Sequence, residues 1–112
     1  MIVKFTTDGL QRKCQSLRLL KKKFGKRIGK AISKKLALLE AFETLADVIS
    51  FQSIKYQLAT ENLSPAVIIC VESGIEITVL PKGDMLGNPK ITISDLGRIR
   101  EIEILQIGGL DR

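Results

Sequence analysis

Between Arg18 and Asp47 the apolar residues Phe24, Ile28, Ala31, Ile32, Leu36, Leu39, Phe42 and Leu45 recur mostly in steps of three and four. That spacing puts them on one face of a helix. It predicts one long helix over Arg18 to Asp47, or two joined near Gly25. On another side Lys23, Arg27, Lys30 and Lys34 step by four, three and four, forming a basic stripe. Lys21, Lys22, Lys26 and Lys35 flank it. Glu40, Glu43 and Asp47 close the segment with acids, against the macrodipole of a helix ending there. The apolar face needs a sheet to pack on. The basic stripe faces either a polyanion or water.

The rest of the chain follows the shorter period of strands. Ile2 to Thr6 is rich in β-branched residues and reads as a first strand. Thr7 or Asp8 then caps a short helix carrying Leu10, Cys14 and Leu17 inward. Ile54, Tyr56 and Leu58 alternate with Lys55 and Gln57, as in a half-buried strand. Glu61 to Pro65 reads as a turn. Ala66 to Val71 is continuously apolar, a central strand that Ser73-Gly74 turns into the alternating Ile75, Ile77 and Val79. The stretch from Pro81 to Pro89 is turn-rich, and Ile91, Ile93 and Leu96 suggest a short edge element. Arg100 to Ile107 reads as the last strand, with Gly108-Gly109 breaking it. A strand, two helices and then an antiparallel sheet define an α+β fold, a single domain over residues 1–112.

Charge sharpens this picture. The formal net charge is +6, but Met1 to Leu39 holds twelve Lys/Arg and one acid, whereas Glu40 to Arg112 holds six Lys/Arg and eleven acids. A basic N-terminal half suggests a polyanionic partner, the alternative being a well-solvated helix surface. Cys14 and Cys70 are far apart and histidine is absent, so a structural zinc site is not expected. Two distant cysteines, without a signal-peptide core over Met1 to Phe5, fit a reducing cytoplasm. No apolar run has the length needed to cross a membrane.

The absence of histidine also excludes a Ser-His-Asp or Cys-His nucleophile, and no glycine-rich phosphate loop is present. Glu101 and Glu103 share a strand face, where polar surface is the ordinary reading. Cleavage of RNA through its own 2′-hydroxyl stays open. It requires proton-handling groups and cations that stabilise developing charge, and no metal or cofactor. Among Lys55, Tyr56, Lys82, Arg98, Arg100 and Arg112, the candidates for that role are Tyr56, Arg100 and Arg112. The alternative for Tyr56 is a half-buried strand residue with its hydroxyl in water.

The opening MIVKFTTDGLQRKCQS, followed by KKKFGKRIGKAISKKLALLEAFETLADV, resembles the N-terminal half of the RelE/HigB-type killer toxins. The family's L-x-x-L-x-A-x-x-L-x-D step is similar to Leu36, Leu39, Ala41, Leu45 and Asp47, and its final strand is similar to DLGRIREIEILQI. This resemblance to the RelE/ParE superfamily implies a toxin of a bacterial type II toxin–antitoxin system. Such toxins inhibit growth as metal-independent endoribonucleases that cut mRNA on the translating ribosome. It implies as partners the ribosome and its RNA, with Lys23, Arg27, Lys30 and Lys34 as the RNA-binding face, and a cognate antitoxin, often a helix-turn-helix protein. The family's basic, glycine-containing turn is replaced here by Leu58 to Ser64, its strand arginine by Ile or Glu in Gly74 to Thr78, and its D-Y-H ending by Asp111-Arg112. The alternative is therefore a catalytically inactive RelE-fold protein that binds an antitoxin-like partner or nucleic acid. A further one is an inhibitor of another bacterial target such as DNA gyrase, as in the ParE branch.

Overall fold

A computed structural model describes residues 1–51, 54–61, 64–72, 74–82 and 97–109. The edge element expected at Ile91, Ile93 and Leu96, and the turn-rich stretch beyond Lys82, lie outside the described residues. The fold is α+β. A first strand, β1 (Ile2–Phe5), is followed by helices α1 (Asp8–Cys14), α2 (Leu17–Phe24), α3 (Lys26–Ala41) and α4 (Leu45–Ser50). Strands β2 (Lys55–Glu61), β3 (Ser64–Cys70), β4 (Ile75–Lys82) and β5 (Glu101–Gly109) complete it. The sheet order is β1-β5-β4-β3-β2. The four later strands pair antiparallel, while β1 joins β5 in parallel. The helical segment carries the chain from one edge of the sheet, at β1, to the other, at β2.

The expected joint near Gly25 is present, a second and unexpected break follows before Thr44, and each is made by local chemistry. Gly25 has φ 93° and ψ 163°, a backbone state that side chains disfavour, and it ends α2 and opens α3. At the other end, Phe42 leaves the helix in extended conformation and Thr44 caps α4. The Thr44 hydroxyl accepts from the Asp47 N–H at 3.3 Å, and the Asp47 carboxylate accepts from the Thr44 N–H at 3.3 Å. Asp47 therefore does not close a helix. It sits in a first turn, where negative charge is favoured. The Met1 nitrogen donates to the carbonyls of Glu40 and Phe42, tying β1 to the end of α3.

The N-terminal helix pair also differs from expectation at one apolar position. Thr7 caps α1 by accepting from the Leu10 N–H at 3.1 Å. Ser16 starts a new helix by accepting from the Leu19 N–H at 3.3 Å. That restart turns Leu17 outward, 40% exposed, and buries Leu20 instead. The backbones of α2 and α3 touch at Gly29, where a Cβ would stand 2.7 Å from the Lys21 nitrogen and 2.8 Å from the Leu20 carbonyl carbon.

One core joins Leu20, Ile32, Leu36 and Leu39 of the helices to Val67, Ile69, Ile77, Val79, Ile102 and Ile104 of the sheet, closed by Leu45 and Val48 of α4. Each such fully buried side chain contributes roughly 1.5–3 kcal/mol. Ile104 and Ile107 both pack on this core although three residues apart. A bulge explains it: Val79 faces Ile104 while Thr78 faces Gln106, so Leu105 is an extra residue that restores the inward phase. Three turn signals prove to be strand, the first in Glu61 to Pro65, where Glu61 pairs with Ser64 and Thr60 with Pro65. Pro81 and Lys82 continue β4 opposite Ile102 and Glu101, beyond the last β3 partner of β4 at Val79, so the missing proline N–H costs no bond on that side. Gly108 and Gly109 remain paired with Glu76 and Ile75.

The close approach at Gly29 sets a test. Replacing an exposed helical glycine by alanine ordinarily gains up to ~1 kcal/mol. Here Gly29→Ala is expected to lower stability by about 1–3 kcal/mol, because the clash is with main chain. A lower urea midpoint at unchanged slope reports it. A raised midpoint would mean that the two helices do not touch there.

Candidate nucleic-acid interface

The basic side of α3 forms one wall of an open groove of about 680 Å³. Lys26, Arg27, Lys30, Lys34 and Lys35 supply five cations, and Glu72 is the single acid among the described lining residues. Ala31, Leu38 and Val71 form an apolar floor. Positions 27, 30, 31, 34, 35 and 38 recur at helical spacing, so one side of α3 makes the wall. The far wall is the start of the β3–β4 turn. Val71 donates its N–H to the Ile75 carbonyl at 2.8 Å and Ile75 donates to the Glu72 carbonyl at 3.0 Å, with Gly74 at φ 80° allowing the reversal. The turn presents the Glu72 carboxylate, which accepts from Arg27 Nε at 2.8 Å. Both side chains are partly solvated, so the pair is worth at most about 1 kcal/mol.

Of the predicted stripe, Arg27, Lys30 and Lys34 stand together in this groove. Lys23 does not join them, because the break at Gly25 ends its helix. It lines a separate groove with Arg12, Lys13 and Lys22. Charge repulsion from Lys13 holds the Lys23 ammonium below the ordinary lysine pKa. Arg12 and Lys13 were legible only as charge on a short helix; that α2 turns its own lysines toward them is tertiary. Glu72, on the β3–β4 turn, enters the α3 groove for the same reason.

The residues expected to handle RNA cleavage are not brought together. Tyr56 is half-buried on the helix side of β2, packed against the core. It sits in the row Tyr56, Ile69, Ile77, Ile107 across four strands. Arg100 precedes β5 by one residue and lies seven residues from Ile107. Three strand spacings and seven residues of rise separate Tyr56 from Arg100 by roughly 25 Å. Nor is Arg100 unengaged: its Nη1 donates to Glu43 Oε1 at 2.7 Å, bracing the joint between α3 and α4. The same joint is held by the Leu45 N–H donating to the Ile99 carbonyl at 2.9 Å. Arg112 lies outside the described residues.

Other titratable groups act locally. Glu101 and Glu103 pair with strand lysines, Lys4 at 3.5 Å and Lys82 at 2.6 Å, as surface carboxylates do. Burial pushes the Cys14 thiol up to about 11, which leaves it protonated and a poor nucleophile. Among the described residues, no group of three His, Cys, Asp or Glu side chains stands together as a metal site, and no helix is long and apolar enough to cross a membrane. Protein-family models, curated proteins and solved structures give no match to this chain.

The Arg27–Glu72 pair generates an expectation of its own. Glu72→Gln is expected to change folding stability by less than about 1 kcal/mol, because the pair is solvated. Chemical denaturation checks this. A loss of several kcal/mol would mean that Glu72 holds α3 to the turn rather than merely lining the groove.

Proposed function

We propose that the chain inhibits translation as the toxin member of a toxin–antitoxin pair, binding RNA through the α3 groove. The observation that carries this reading is the concentration of basic residues, Arg27, Lys30 and Lys34 above all, along a single face of α3. Such a wall suits a phosphate backbone, whose neutralisation releases counterions and supplies affinity without base contacts. Apolar residues Ala31, Leu38 and Val71 line the same groove as Lys30 and Lys34, a surface on which lysine stems can pack while their ammonium groups stay in water. A silencing antitoxin would meet the same groove with carboxylates.

The distance between Tyr56 and Arg100, and the engagement of Arg100 by Glu43, favour inhibition by occupancy over cleavage. Strand cleavage demands proton-handling groups within hydrogen-bond reach of one phosphate, a few ångströms rather than tens. The second reading, a ribosome-dependent endoribonuclease, keeps its support in the family resemblance alone.

Cell-free translation with the purified protein, with the 5′ ends of the reporter mRNA mapped, separates these. The expected result is blocked protein output with intact mRNA, and output restored by Arg27→Glu, Lys30→Glu and Lys34→Glu combined. All three side chains are exposed, so circular dichroism should show the triple variant folded. New 5′ ends appearing only on translated message would establish cleavage instead. Full inhibition by the triple variant would remove the α3 groove from the account.

A further inference from the structure

The second groove, between α1 and α2, is a separate feature of about 610 Å³ that shares no lining residue with the first. Its two walls carry the same pattern. From α1 come Gly9, Arg12 and Lys13; from α2 come Leu19, Lys22 and Lys23. Each set has the i, i+3, i+4 spacing that places residues on one helix face, so two basic faces are turned toward one space. Among the described residues, no acid lines it. Opposed cations ordinarily diverge into water, since like charges at close range repel. Here Lys13 and Lys23 line one groove from two different helices. An anion with more than one negative charge, entering between them, would turn that repulsion into two charge-assisted hydrogen bonds.

We infer that the α1–α2 groove is a binding site for a multiply charged phosphate group, with Lys13 and Lys23 as the clamp and Arg12 and Lys22 at its sides. The ligand chemistry is that of pyrophosphate or a terminal phosphate monoester. The site stands independently of the proposed translation block, because the α3 groove lies on another helix face.

The test uses inorganic pyrophosphate as probe, with lysine side-chain resonances of the intact chain followed by NMR. Saturable shifts confined to Lys13, Lys22 and Lys23 are expected. They should weaken at least about tenfold in Lys13→Gln/Lys23→Gln, the loss expected for a charge-assisted hydrogen bond. They should persist in Arg27→Gln/Lys30→Gln/Lys34→Gln. Uniform, non-saturating shifts over all lysines, or equal loss in both variants, would overturn the site while leaving the translation result untouched. Competition then identifies the source. A short RNA with a 5′-phosphate that displaces pyrophosphate, where its 5′-hydroxyl counterpart does not, identifies a terminal phosphate. Displacement by neither identifies a free anion, and the site stands in both cases. Equal displacement by both would mean a generic backbone contact and would overturn the dianion clamp.

Discussion

Helix α3 can present its cations only because its other side is committed. Ile32, Leu36 and Leu39 are sunk in the sheet, at 0%, 7% and 1% exposure. Their burial fixes the rotation of the helix about its axis. Residues 30, 34 and 35 must then face away from the core and toward the β3–β4 turn. A helix with a weaker apolar stripe would be free to roll, and its lysines would spread around the cylinder. The bulge at Leu105 serves the same end on the sheet side, because it keeps Ile104 and Ile107 directed at the helices despite their odd spacing.

Close packing then divides the charge. Gly25 and Gly29 together let α2 come against the first turn of α3, the one by its backbone conformation and the other by its missing side chain. The consequence is electrostatic. What would have been one continuous stripe becomes two grooves, with Lys23 on one and Arg27 on the other. The α3 groove is moderated by Glu72, whereas the α1–α2 groove has no acid among its described lining residues. The opposite end of the sheet behaves as ordinary surface. There Lys4, Lys82 and Arg100 are each taken up by a carboxylate.

Much of this was legible in the chain. The α+β class, the apolar face of α3, the apolar run of β3 and the alternation of β4 and β5 follow from spacing, because burial imposes one period on helices and another on strands. The joint near Gly25 was signalled by the glycine. The restart at Thr44 was not foreseen, because a capping box inside an apolar helical pattern is overridden on paper by the longer period, and Asp47 was taken for a helix end. Pro81 and Gly108-Gly109 misled in the opposite direction. Turn chemistry is a local signal, and pairing with β5 and β4 overrode it. As for the site, Arg27, Lys30 and Lys34 were legible because they lie on one helix. Glu72, Arg12 and Lys13 were not, because other elements bring them in. Tyr56 and Arg100 were linked by residue type, which carries no distance.

The most direct test of the central claim is the salt dependence of affinity for a short single-stranded RNA. Phosphate contacts in the α3 groove predict a negative slope of log K against log salt, at ~0.7 per phosphate neutralised. Neutralising Arg27, Lys30 and Lys34 together should flatten that slope by about 2. A slope that stays the same in the triple variant, or one near zero in the parent chain, would contradict the assignment of the α3 groove as the polyanion-binding face.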